Sequence, residues 1–361
     1  AREAPEDPWC GLAAPEQLAR SWDLVALDLV DASEPPSAAE LREIALMAEA
    51  AALAVPGITR AEGAGAGWQA SRVHVAASNG FSGGYGRTGH SIHAVAIHGD
   101  GLAMEQDHCV EGRSHRADLP DPARIGRLAG ERAVKRAGAK KPPTGAYPVL
   151  YDERVASSLI GHLVQAFNGA AVARGASWLK DALGEAVLPD GMDLVEDPTR
   201  PRASGSRPFD AEGLPVAPRA MVEGGVLRGW TLDLATGRQL GLPSSGNASR
   251  GTAGPPGPAA GNLTLTPGTL SREALIAEMG TGLVITSLIG SSVSATTGDY
   301  SRGASGFWVE RGEIVGPVNE CTVAGNLRAM LRSIVAANDA RSHLSRVVPS
   351  LLVEGLVIAG G

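Results

Sequence analysis

Two adjacent prolines, Pro142 and Pro143, divide the chain into halves that read differently. A proline has no backbone N–H and drives the residue before it out of the helical region. The alanine- and arginine-rich amphipathic run from Asp121 to Ala137 must therefore stop at Lys140-Lys141-Pro142-Pro143, which predicts a boundary between residues 1–143 and 144–361. Ahead of the stop, the segment from Glu16 to Leu29 reads as a short helix running into the apolar stretch Leu24 to Val30. Ser37 with Glu40 three residues on is a capping box, and an Ala/Leu/Glu helix follows to about Val55. Strand-like alternation runs over Trp68–Ala77 and Ser91–His98, with a turn-rich Asn79-Gly80-Phe81-Ser82-Gly83-Gly84 between them.

Behind the stop, Tyr147–Tyr151 predicts a short strand and Val155–Ala173 a helix. On that helix Leu159, Leu163 and Phe167 recur every four residues as a buried stripe, while Ser158, His162, Gln165 and Gly169 fall on a more polar face. From Val187 the pattern is short strands and turns, with a strand over Gly282–Ile289 and a continuous apolar run at Ser350–Ala359 suited to a central strand. The piece Ser249–Gly261, rich in glycine and proline, predicts a mobile loop. Helices early and a β-rich second half make the expected class α+β.

Composition excludes several functions. A net charge of −7 disfavours a nucleic-acid partner, which asks for a basic face. The charged, proline-containing stretch Ala1–Pro8 does not resemble a signal peptide, and no apolar run approaches the roughly 18–20 residues of a membrane span. Three cysteines, Cys10, Cys109 and Cys321, lie far apart, which suits a reducing cytoplasm better than a disulfide framework.

His90, His93, His98, His108, Cys109 and His115 fall close together and read either as a metal site on adjacent strands or as solvent-facing or hydrogen-bonded imidazoles. Alternation places His93 with Val95 and Ile97 and His98 on the opposite face, so these two diverge. Cys321 reads as a small buried residue, and the serine pairs Ser244-Ser245 and Ser291-Ser292 lack a nucleophile elbow. The polar turns around Asn247 and Asp299 either bind an extended peptide or close on themselves through side-chain hydrogen bonds.

Ordered motifs along the chain carry a resemblance. They are Asp7-Pro8-Trp9-Cys10-Gly11-Leu12, Ser78-Asn79-Gly80-Phe81-Ser82-Gly83, Pro208-Phe209-Asp210-Ala211-Glu212-Gly213 and Ser245-Gly246-Asn247-Ala248-Ser249-Arg250-Gly251. Further on stand Thr297 to Trp308, Thr322-Val323-Ala324-Gly325-Asn326-Leu327 and Pro349 to Leu356. Together they resemble the TldD/PmbA family, and within it the TldE/PmbA type. Two departures stand out. Family members usually carry a further α/β segment ahead of the Asp-Pro stretch, so the first domain is expected to lack its start. Ser294 also stands where an asparagine is common.

The resemblance implies an N-terminal α/β domain and a β-rich C-terminal domain in a cytoplasmic peptidase of two related subunits, which degrades small unfolded proteins or trims leader peptides. The TldD-like subunit carries a His-Glu-x-x-x-His helix for zinc. Here the matching positions are Gly161, His162 and Ala166, two of which offer no lone pair. The chain is therefore expected to hold no metal and no catalytic residue of its own. It would partner a zinc-bearing TldD-like subunit, with a homodimer possible alone. Asn247, Asp299, Tyr300 and Ser301 are the candidates for contacting peptide or partner. The other readings are an adaptor of the gyrase-modulator type without hydrolytic role, and a complex that tailors a peptide-like natural product.

Overall fold

The computed structural model describes residues 7–360; most of the expectation for Ala1–Pro8 falls on residues 1–6, outside the described residues. The chain opens with a 3-10 turn at Pro15–Gln17 and α1 (Leu24–Leu27), so the short helix expected after Glu16 is only a 3-10 turn and the apolar run from Leu24 forms the helical turn. Tertiary contacts win there. Trp22 is drawn edge-on against Phe209, ring centroids 4.8 Å apart, and the Ala19 N–H donates to the Gly213 carbonyl.

The α2 helix (Ala38–Leu53) starts at its capping box: Ser37 Oγ accepts the Glu40 N–H at 3.2 Å and Glu40 Oε2 accepts the Ser37 N–H at 2.8 Å. Next come β1 (Ile58–Ala76), β2 (Ser82–His98) and β3 (Glu105–Arg113), an antiparallel sheet in that order, and then α3 (Pro122–Lys135). Both hairpin strands run well beyond their alternating parts. Glycine-rich stretches with no apolar period still pair residue for residue, from Gly63 with Val95 to Ala76 with Ser82. Helices α2 and α3 cover the face carrying Ile92, Ala94 and Ala96, and cross closely enough that Gly126 lies against the Ala48 carbonyl.

In the second half, β4 (Gly145–Tyr151) leads into α4 (Glu153–Ala166) and α5 (Gly169–Ala173). The single helix expected over residues 155–173 is broken at Phe167-Asn168. The Asn168 side chain accepts the Ala170 N–H at 3.0 Å, and the Gly169 N–H turns to the Thr231 carbonyl. Short elements follow: β5 (Leu194–Glu196), β6 (Arg219–Glu223), β7 (Val226–Leu227), α6 (Leu234–Leu240), β8 (Ala248–Ser249), β9 (Gly257–Pro258) and β10 (Leu263–Leu265). The glycine- and proline-rich loop is tied down by the β8–β9 pair and by an Ala259 N–H to Asn247 carbonyl bond.

The closing elements are α7 (Arg272–Met279), β11 (Gly282–Val293), β12 (Asp299–Glu310), β13 (Glu313–Asn326), α8 (Leu327–Arg332), β14 (Val335–Ala336), β15 (Arg346–Val347) and β16 (Leu351–Ala359). One sheet runs β13-β12-β11-β4-β16-β14, and β13 pairs with β16 as well, so five strands close into a ring. A second sheet runs β15-β10-β5-β6-β7. Leu150, Val284 and Leu352 face α7, whereas Val149, Tyr151, Leu283 and Ile285 join α4 in the main core. The protein is α+β, with a helix-containing N-terminal region and a strand-rich C-terminal one. Among the described residues no helix is long and apolar enough to cross a membrane.

The Phe209–Gly213 segment stitches the halves together. Phe209 packs against Trp22, Phe81 and Tyr85, and the Glu212 carboxylate accepts the Leu234 N–H at 2.9 Å. Burial, with Asp210 and Asp233 nearby, pushes the Glu212 carboxyl from 4.5 up to about 7. The folded state then binds more protons than the unfolded chain between those values, so stability falls as pH rises through them. Glu212→Gln keeps an acceptor for Leu234 and removes the charge. It is expected to raise stability by about 2–3 kcal/mol near pH 8 and by little near pH 4, read from urea unfolding.

Candidate functional site

The α4 helix is launched by Asp152, whose carboxylate accepts the Arg154 N–H at 3.3 Å. Leu159, Ile160 and Leu163 anchor its apolar side in the core, and this presents Gly161 and His162 to the neighbouring sheets. Gly161 leaves a gap in front of the helix that is already filled. A Cβ placed there would lie 3.1 Å from Nη1 of Arg346, which β15 carries beside β10. The His162 ring meets Tyr300 of β12 edge-on, centroids 5.8 Å apart and planes at 72°.

Three polar groups of this region are buried without a hydrogen-bond partner among the described residues: His162 Nε2 and the hydroxyls of Tyr151 and Tyr300. Burial pulls the His162 imidazole down, and the Arg302 guanidinium adds to that. Burial pushes both tyrosine phenols up. All three groups are therefore neutral near pH 7, able to give and take hydrogen bonds but not to serve as a charged nucleophile. One imidazole beside a guanidinium is a poor nest for a dication, which needs three or four convergent donors. Among the described residues no group of three or more His, Cys, Asp or Glu could hold a metal ion.

Of the residues singled out in sequence, Tyr300 meets His162, Asp299 and Ser301 flank it on β12, and Asn247 lies in a separate buried network. Asp299 closes the β11–β12 turn: its carboxylate accepts the Thr297 hydroxyl at 2.6 Å and Asn326 Nδ2 at 3.1 Å, bonds that hold it below the usual carboxylate range. Ser294 caps the same turn, its Oγ accepting the Thr297 N–H at 3.2 Å. Tyr300 points inward, and Ser301 is half-buried. Asn247 is 1% exposed and fully engaged. Its Nδ2 donates to both oxygens of buried Glu196 at 2.8 and 2.9 Å, while its Oδ1 accepts Arg219 Nη2 at 2.7 Å and Ser245 Oγ at 2.8 Å. Ala166 lies buried at the end of α4.

The histidine-rich stretch does not converge. His90 Nε2 faces Asp31 at 3.2 Å, His115 Nε2 faces Asp28 at 3.2 Å, and His98 Nδ1 bonds the Gly57 carbonyl at 2.6 Å. His93 lies across the bare backbone of Gly65, and His108 is exposed. Cys321 is buried, its thiol donating to the Ala304 carbonyl at 3.2 Å and pushed up to about 11 by burial. Arg346, Arg302 and Tyr151 were missed in sequence, because nothing local marks residues so far apart as neighbours of α4.

Comparison with known proteins places the chain. Models of the PmbA/TldA metallopeptidase central and C-terminal domains match residues 31–137 and 144–360. Metalloprotease PmbA of Escherichia coli O157:H7 is 38% identical, covering 100% of this chain and 78% of that protein. The PmbA homologue of Haemophilus influenzae is 35% identical over 94% of this chain and 74% of its own length. Among solved structures, a candidate modulator of DNA gyrase from Bacteroides thetaiotaomicron superposes with a TM-score of 0.90 at 29% identity, over 100% of this chain and 80% of that one. TldE from Thermococcus kodakarensis shares the fold with a TM-score of 0.82 at 19% identity, over 99% and 81%. With both domain models matched in order and full-length identity to PmbA, the chain belongs to the PmbA/TldD family.

Proposed function

We propose that this chain is a TldE-like, non-catalytic subunit of a two-subunit zinc peptidase that acts on peptides or small unfolded proteins in the cytoplasm. The observation that carries the reading is the face of α4. Gly161 and Ala166 supply no ligand, His162 turns its ring to Tyr300, and the Arg346 guanidinium stands over Gly161. A dication brought there would meet a positive charge, so no step of hydrolysis is assigned to these residues. The zinc belongs on this reading to a TldD-like partner, and a homodimer is the fallback state without it. The contribution of this chain is shape and substrate contact. The outer edge of β1, long and without a strand partner among the described residues, suits strand addition by an extended peptide.

The test is elemental analysis joined to a cleavage assay. Purified alone, the chain is expected to carry well under about 0.1 zinc, and co-expressed with a TldD-like subunit about one zinc per pair, with peptide hydrolysis only in the pair. Stoichiometric zinc in the isolated chain would overturn the assignment. Stable pairing with no hydrolysis of any peptide would favour an adaptor instead, the role suggested by the candidate gyrase modulators among the structural relatives.

A further inference from the structure

A groove of about 760 Å³ separates the first sheet from two loops of the second half. Its floor belongs to the sheet face opposite α2 and α3. There Gly67, Ser91 and Gly112 stand side by side across β1, β2 and β3, leaving the backbone almost bare. Its far wall is formed by residues 200–204 and 342–345. The wall is held in place by the first domain: Ser114 Oγ donates to the Arg202 carbonyl at 2.7 Å, and Arg202 keeps a left-handed φ of 57°. A left-handed arginine is uncommon and is kept only where its surroundings over-determine it.

Four arginines line this groove, and their charges are not equally answered. Arg113 pairs with Glu111 at 2.7 Å, and Arg202 pairs with Asp28 at 2.6 Å and Asp118 at 2.8 Å. Arg87 donates only to carbonyls, those of Ser204 at 2.6 Å and Ser206 at 2.7 Å. Arg200 likewise donates to the carbonyls of Ser342 at 2.5 Å and Leu344 at 3.1 Å, while its Nη1 is buried with no partner among the described residues. Asp197 acts on Arg200 from beyond ion-pair reach, one of its two oxygens held by Thr199. Carbonyl oxygens satisfy N–H donors but do not cancel a cation. The groove therefore carries two held guanidiniums that have no ion-pair partner among the described residues, in a chain whose net charge is −7.

We propose that this groove binds an extended peptide segment through a carboxylate, with Arg87 and Arg200 supplying the charge. Guanidinium matches carboxylate in geometry, and the two are positioned before any ligand arrives. The volume is that of a site enclosing a short peptide, and the glycine floor admits a flat backbone. The choice of a peptide rests on the peptidase reading above; the anion requirement does not. The carboxylate comes from an acidic side chain or from the peptide's C-terminus, and the two sources separate experimentally.

The experiment titrates the full chain, without zinc or partner, with a short amide-capped peptide rich in glutamate. Its glutamine counterpart, and that counterpart with a free C-terminal carboxylate, complete the set. One of the two anionic peptides is expected to bind at least about 10-fold tighter than the neutral one, the preference shrinking as salt rises. Which one wins names the source. Arg87→Gln and Arg200→Gln should each abolish the preference, and Arg200→Lys should restore part of it. If a glutamine variant fails to fold, the salt dependence of the unaltered chain still decides. Equal affinity for all three peptides, or a preference that survives both glutamine variants, overturns the proposal. Preference without hydrolysis in the subunit pair would sink the peptidase reading alone, and hydrolysis without preference would sink the groove alone.

Discussion

Asn247→Asp is expected to destabilise the protein by about 3–5 kcal/mol near pH 8, and by far less near pH 5. The exchange is isosteric, so packing is untouched and only the donor is lost. Asn247 Nδ2 lies 2.8 and 2.9 Å from the two oxygens of Glu196, itself 2% exposed. An aspartate there sets two carboxylates together out of water. Arg219 at 3.4 Å and Arg207 at 3.6 Å from Glu196 offset part of that repulsion but were already spent on the first charge. Two carboxylates sharing one site hold a proton above the ordinary carboxylate range. The folded variant then binds more protons than the unfolded chain, and its stability falls as pH rises. Urea unfolding at the two pH values checks this. A variant as stable as the parent at pH 8 would mean that the Glu196 network carries no weight. Asp299→Asn, at an exposed turn where the amide oxygen can still accept, serves as the control and is expected to leave the unfolding midpoint nearly unchanged.

That contrast shows how far the candidate site could be read from the chain alone. Local signals translated directly: Ser37 with Glu40 placed the start of α2, and the turn at Asn79-Gly80 placed the hairpin. The replacement of ligands at Gly161 and Ala166 was equally legible, because it depends only on side-chain identity. What sits opposite them was not. Arg346 reaches Gly161 through the pairing of β15 with β10, and Tyr300 reaches His162 through the closed ring of strands. The break at Asn168 depends on partners at Thr231 and Pro258, so helical periodicity ran straight through it. Asn247 and Asp299 both looked like polar turn residues. Burial separates them, and burial is a property of the fold.

Gly126→Ala is expected to cost about 3 kcal/mol, the upper range for forcing an extra carbon into a packed contact. Its Cβ would fall well inside the contact distance of the Ala48 carbonyl oxygen, against the backbone of α2. A side chain can swing aside, but a helix backbone cannot, so α2 and α3 must move apart or tilt. Those helices cover Ile92, Ala94 and Ala96 from one side, with Ala48, Ala52, Ile125 and Ala129 filling the layer between. Such small residues allow the close crossing, and opening it exposes the whole layer. Gly63→Ala is the matching control: nothing lies within 4 Å of its Cβ position and its backbone is extended, so it is expected to be neutral or slightly stabilising. Thermal unfolding distinguishes the pair, and amide exchange along β1 to β3 should quicken only for Gly126→Ala. Because the opposite face of this sheet floors the arginine-lined groove, loosening α2 from α3 should also weaken binding of the preferred anionic peptide. If exchange quickens while that binding stays unchanged, the peptide does not rest on the sheet.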